Sequence, residues 1–277
     1  MSEDTRHEVA RREVVHRVHG MDEVEVVTGV EYDADEAVDA GDAGAPTMDV
    51  YYPPGPRRPT RAPAAVIAAG FPDRGFEARL GCKFKEMNST RSWARLMAAG
   101  GIVAVAYTNR APARDLRAVV RHVRENADAL GVDRDRLALW AGSGNTPVAL
   151  SALMRKDADY FKCAVIFYGY TLDLADSTHV ARASRAWGFA NPSAGKSVED
   201  LPTDVPLFVA RAGRDAMAGL NESLDLFAAA ALRRNLPLTL ANLPEAPHAF
   251  DLFDDAPGAR AVVAQSLDFM RFHLSAV

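Results

Sequence analysis

The sequence predicts an α/β fold on a mostly parallel sheet, and three observations carry that expectation. Seven short apolar runs, at 48–52, 64–69, 102–107, 136–141, 163–169, 206–210 and 237–241, read as strands. Helix-like windows separate most of them, so successive strands need crossover connections and both faces of the sheet are covered. Finally, 277 residues with no Pro/Gly/Ser-rich linker make one large domain with a substantial core. In such sheets ligands bind beyond the carboxyl ends of the strands.

Taken in order, residues 6–18 set Val9, Val14, Val15 and Val18 among charges at loosely helical spacing, which predicts a short amphipathic helix. It could pack on the body or against a partner subunit, where it would support a homodimer. Residues 21–42 hold nine acids and no Lys or Arg, interleaved with valines, and read as a solvated edge hairpin. We expect this N-terminal part, 1–47, to belong to the same unit as 48–277. The helical windows are Ser92–Ala99 closed by Gly100, Arg114–Leu130 closed by Gly131, Pro147–Met154, Asn221–Arg234 and Gly258–Leu274. Leu116, Val119, Val120 and Val123 mark one face of the second. Residues 171–203 are too long for a minimal crossover. They read as a small lid carrying Trp187 and Phe189, or as a plain helix-and-loop connection.

Composition narrows the function. A net charge of -5, with five lysines and 27 arginines, offers no basic field for nucleic acid. No window approaches the roughly 20 apolar residues of a membrane span, and the first 20 residues lack the apolar core of a signal peptide. The expectation is a soluble, cytoplasmic protein. Cys82 and Cys163 form neither a disulfide framework nor a metal-ligand cluster, and read as free buried thiols. No metal or cofactor is expected.

The chemistry centres on Ser143. The apolar run Leu137–Ala141 stops at Gly142-Ser143-Gly144 and a helical window follows, which is how a serine is presented on a sharp strand-to-helix turn. A phosphate-binding turn would want GxGxxG or GxxxxGK[ST], and neither occurs. A serine hydroxyl needs a histidine base held by a carboxylate. Asp215 follows the strand 206–210 in Ala212-Gly213-Arg214-Asp215, and His248 follows the next strand in Ala246-Pro247-His248-Ala249-Phe250-Asp251. A parallel sheet brings all three to one edge. Asp173 and Asp251 compete with Asp215 as orienting acids, and among the other histidines only His179 lies where it could compete with His248.

The elbow Ala141-Gly142-Ser143-Gly144-Asn145, the Gly213-Arg214-Asp215 loop and Ala246–Asp251 resemble the α/β-hydrolase superfamily over about residues 48–275, nearest to dienelactone hydrolase-like carboxylesterases. The resemblance implies Ser143 as nucleophile, His248 as general base and then acid, and Asp215 as orienting carboxylate. It implies a small-molecule ester or lactone substrate. Dienelactone hydrolases themselves resemble this pattern with cysteine at the elbow, where this chain has serine. The usual GxSxG is Ala141-x-Ser143-x-Asn145 here. For the oxyanion, Gly144 N–H is one donor. Gly70-Phe71-Pro72 resembles an HG-x-P oxyanion loop with Ala69 at the histidine position, which makes Phe71 N–H the second. Pro72, Tyr107, Tyr168, Tyr170 and Trp187 are pocket candidates by position, and Asn109 and Arg110 share the strand end that carries Tyr107. The charged stretch Arg74, Arg79, Lys83, Lys85 and Arg91 reads as a solvated loop or as an anchor for an acidic substrate. A non-catalytic ligand-binding protein on the same fold is the alternative, motivated by Asn145.

Overall fold

Valine, isoleucine and alanine dominate the apolar runs, as suits a pleated surface covered from both sides. The computed structural model describes residues 8–34, 45–56 and 58–275 and places these runs in one eight-stranded sheet. Its strands are β1 (Glu25–Glu31), β2 (Thr47–Tyr52), β3 (Ala62–Ile67), β4 (Val103–Tyr107), β5 (Val132–Gly142), β6 (Phe161–Phe167), β7 (Leu207–Ala212) and β8 (Leu238–Leu243). Their order is β1-β2-β4-β3-β5-β6-β7-β8. β2 runs antiparallel to both neighbours, and all other pairs are parallel. The chain leaves β3 toward β4 and leaves β5 toward β6, in opposite directions along the sheet. That reversal opens a crevice beyond the carboxyl ends of β3 and β5.

The helices are α1 (Asp73–Leu80), α2 (Asn88–Ala99), α3 (Pro112–Glu125), α4 (Ala127–Leu130), α5 (Thr146–Leu153), α6 (His179–Trp187), α7 (Leu220–Arg233), α8 (Phe250–Phe253) and α9 (Pro257–Leu274). All five residues of β4 are buried, and because successive side chains point to opposite faces, both faces are covered. α2 packs on β2, β3 and β4, α9 on β5 through β8, and α3 on α5 and β5.

The strands fall within a few residues of the apolar runs, whereas several other elements differ from expectation. The helix expected over 114–130 begins two residues earlier, where Pro112 occupies its first turn, and breaks at Asn126 (φ -103°, ψ 22°) into α3 and α4. α1 and α8 have no counterpart among the expected helices: their eight and four residues carry too little periodicity to read, and α1 contains Gly75.

The N-terminal helix expected over 6–18 is corrected: residues 8–11 are helical, residues 6 and 7 lie outside the described residues, and the rest runs as an irregular strap. Its amides are taken by the body instead. Val14 N–H donates to Ser92 Oγ at 3.1 Å, and Val15 N–H to the Asp251 carbonyl at 2.7 Å. Of the acidic hairpin expected over 21–42, β1 forms an edge strand paired antiparallel with β2, and residues 35–42 lie outside the described residues. A bulge at Gly29 (φ 73°) shifts the register, and its N–H donates to Asp49 Oδ1 at 3.0 Å.

The same carboxylate meets Lys85 Nζ at 2.6 Å, with both side chains at most 10% exposed. Part of the stretch read as solvated is therefore a buried tie between that segment and β2. Cys163 is buried in β6, which pushes its thiol up to about 12, and Cys82 is half-buried. Among the described residues, no helix is long and apolar enough to cross a membrane.

Candidate active site

β5 continues to Gly142, and the chain then turns through Ser143 at φ 54° into a single 3-10 turn, Ser143–Asn145, and α5. A non-glycine residue held in the left-handed region costs on the order of 1 kcal/mol and persists where its surroundings enforce it. Here they do. Ser143 carbonyl accepts Tyr170 N–H at 3.2 Å, and a Cβ placed on Gly144 would lie 2.6 Å from the Phe189 ring and 2.9 Å from that of Phe71. Only glycine fits after the serine. Being at a helix start, Gly144 N–H lacks an intrahelical acceptor.

Beyond β8, His248 sits in a turn and directs Nδ1 at Asp215 Oδ2, 2.6 Å away. Asp215 follows β7, and its side chain is shielded from solvent. Its other oxygen, Oδ1, accepts Met217 N–H at 2.9 Å, so the carboxylate is fixed at both ends. With Nδ1 engaged, Nε2 is the nitrogen left for chemistry. Ser143 and His248 both line the same two cavities.

The two competing acids are occupied elsewhere. Asp173 accepts the N–H groups of Val180 and Ala181 at the start of α6. Asp251 is fully buried, receiving Tyr168 OH at 2.5 Å and Trp93 Nε1 at 2.8 Å, and burial raises its carboxyl above the ordinary range in spite of both bonds. Tyr168, itself at φ 37°, lays its ring edge-on to His248 with centroids 4.8 Å apart. Asp251 thus anchors a residue that packs on the histidine. The only sequence sign of that arrangement is its place three residues after His248.

After β3 the chain passes through Ala69, Gly70 and Phe71, and almost every backbone group there has a partner. Ala69 N–H donates to Tyr107 OH at 3.2 Å, Gly70 N–H to Asn145 Oδ1 at 2.7 Å, and Gly70 carbonyl accepts Ala190 N–H at 2.8 Å. Asn109 Nδ2 reaches the Ala69 and Phe71 carbonyls at 3.3 and 2.8 Å. Among the described residues, Phe71 N–H alone in this stretch is left without an acceptor. In the sequence Asn109 stands out only by its place at a strand end.

Asp73 locks the next turn. It accepts Asn109 N–H at 2.7 Å and Phe84 N–H at 3.1 Å, and burial, outweighing those bonds, moves its carboxyl up to about 6. Since the folded value lies above the unfolded one, the associated stabilisation is complete below about pH 4 and lost as pH rises through about 6. Relative to Asp73→Asn, the wild type is expected to lose up to about 3 kcal/mol over that interval. Denaturant unfolding of both proteins between pH 4 and pH 8 checks it, and parallel stability curves would show that Asp73 is not the group responsible.

The two cavities hold about 240 and 550 Å³. Trp93, Trp140, Met87 and Leu252 wall the smaller one, and Phe76, Tyr170, Trp187, Phe189 and Met217 the larger. Of the pocket candidates, Tyr168 lines the smaller cavity, and Tyr170 and the half-exposed Trp187 line the larger. Pro72 and Tyr107 line neither. Pro72 is the residue before α1, and Tyr107 is fully buried under the loop it supports. The segment 171–203 forms α6 and the loop holding Phe189, and so roofs the larger cavity. Arg79 donates to the Trp187 carbonyl at 2.5 Å.

Neither a family model nor a curated protein sequence matches the chain. Solved structures do. A hyperthermophilic esterase from the archaeon Pyrobaculum calidifontis superposes with a TM-score of 0.65 at 21% identity, over 99% of this chain and 93% of that one. A variant of the esterase rPPE gives 0.72 at 16% identity, over 100% and 92%. An esterase from Thermogutta terrifontis with bound propionate gives 0.63 at 19%, over 90% and 94%.

The chain has the α/β-hydrolase fold. Phe71, Ser143, Asp215 and His248 lie beyond the carboxyl ends of its strands, the edge where ligands bind in open α/β sheets. Here all four follow parallel strands, β3, β5, β7 and β8.

Proposed function

We propose that this α/β-hydrolase-fold protein is a serine hydrolase that cleaves carboxylic esters or lactones through an acyl-enzyme. The observation that carries it is the 2.6 Å contact of His248 with a shielded Asp215, on a cavity wall shared with a serine held at positive φ. The esterase names of the structural neighbours support the same chemistry. Ser143 Oγ attacks the carbonyl carbon while His248 Nε2 takes the hydroxyl proton, and Asp215 stabilises the imidazolium. The carbonyl oxygen becomes an oxyanion held by Phe71 and Gly144 N–H groups, each such donor worth roughly 3 to 4 kcal/mol in the transition state. Collapse breaks the ester C–O bond, and the leaving alkoxide receives the proton from His248. Water, deprotonated by the same histidine, then releases the acid and frees Ser143.

The apolar, aromatic walls favour uncharged substrates. A dienelactone hydrolase-like carboxylesterase is the finer assignment within the fold, resting on the motifs around Ser143, Asp215 and His248. The ligand-binding alternative draws on Asn145, and that residue has a structural task in holding Gly70. A fluorophosphonate probe tests the proposal: stoichiometric labelling on Ser143 together with hydrolysis of short p-nitrophenyl esters is expected. Intact protein that takes up no label and cleaves no such ester would leave the site as a binding pocket.

A further inference from the structure

The residue at position 145 departs from the glycine usual in this elbow, and its side chain is buried, only 7% of the residue being exposed. Its backbone is ordinary right-handed helix (φ -82°, ψ -17°), so nothing in the turn demands glycine there. The side chain is committed across 75 residues of sequence, with Oδ1 accepting Gly70 N–H at 2.7 Å. The two backbones also touch: a Cβ on Gly70 would lie 2.3 Å from the Gly144 carbonyl oxygen and 2.7 Å from Asn145 Cα. The oxyanion loop and the nucleophile elbow are therefore pressed together, with one amide bond orienting them.

Gly70 and Phe71 N–H both follow β3 close to Ser143, and either could serve an oxyanion. An amide already bonded at 2.7 Å to a side-chain carbonyl is not a free donor. Phe71 N–H remains, and Asn109 Nδ2 grips the Phe71 carbonyl at 2.8 Å from the other side. The geometry points to Asn145 as a positioning residue that selects Phe71 N–H as the oxyanion donor by occupying Gly70 N–H, with Asn109 as its counterpart. This rests on the serine hydrolase reading above and adds to it the residue that sets the geometry of its oxyanion hole.

The transition state, not the bound ester, feels this arrangement, because the oxygen carries its full charge only after attack. Replacing Asn145 by alanine is expected to lower kcat for a short p-nitrophenyl ester by about 10- to 100-fold, somewhat less than outright removal of a donor, with KM changed by less than about threefold. An aryl trifluoromethyl ketone supplies a second readout. Ser143 Oγ bonds its carbonyl carbon, His248 takes the proton, and the ketone oxygen becomes the hemiketal anion. Its affinity should weaken in step with kcat/KM.

Asn145→Gly, which restores the usual elbow residue, should be no faster than Asn145→Ala, and Asn109→Ala should show the same loss in kcat. Thermal unfolding and Ser143 labelling identify any variant that fails through misfolding, and the three substitutions give independent chances of a folded protein. Wild-type kcat in folded Asn145→Ala or Asn145→Gly overturns the assignment while the hydrolase reading stands. A loss expressed wholly in KM, with ketone affinity unchanged, does the same. An inert wild-type protein removes the hydrolase reading and this assignment together.

Discussion

Ser143→Ala is expected to lower kcat by about 10⁶-fold, and adding His248→Ala to that protein should lower it no further. The two side chains act as one unit: a base with no hydroxyl to deprotonate contributes little, and the hydroxyl without its base is a poor nucleophile. The cost appears once. What survives should come from Phe71 and Gly144 N–H groups, which neither substitution touches. Steady-state rates of both single variants and the double variant, on one ester, make the comparison. A double variant slower than the wild type by the product of the two separate losses would mean that the two residues act independently, and the assignment of His248 as the base for Ser143 would fall.

The second large effect concerns the carboxylate proposed to orient His248. Asp215→Asn should cost about 10⁴-fold in kcat with KM little changed, since an amide can present its NH2 to Nδ1 and so stabilise the wrong tautomer. Asp251 cannot take over, despite lying three residues from His248, because Trp93 and Tyr168 already engage its two oxygens and burial disfavours its charge. Asp251→Asn should therefore leave far more activity than Asp215→Asn. Side-by-side rates settle which acid orients the histidine, and a larger loss from Asp251→Asn would exchange the roles of the two carboxylates.

The strands were legible because a buried parallel strand needs a continuous apolar run, and little else in a chain of this composition produces one. The order of Ser143, Asp215 and His248 was legible for a related reason: each closes such a run, and a parallel sheet delivers run ends to the same edge. The N-terminal strap was not, since Val14 and Val15 commit their amides to Ser92 and Asp251, partners 78 and 236 positions away along the chain. Tyr107 illustrates the limit at the site. Its position at a strand end put it at the active edge, and pleating then turned it beneath the loop. Asn145 looked like a defect in a motif because its partner, Gly70, lies on another strand end.

The segment 171–203 is fastened to the floor of the candidate site rather than merely laid over it. Ala190 N–H bonds the Gly70 carbonyl, Phe189 abuts Gly144, and Arg79 holds the Trp187 carbonyl. Under the hydrolase reading proposed above, recognition and rate share hardware. Grafting a different roof to broaden the range of esters would tug on Gly70 and, through it, on the amide that meets the developing charge. Descendants that change their diet by rewriting this stretch would pass through slow intermediates unless Gly70, Asn145 and Ala190 drift together.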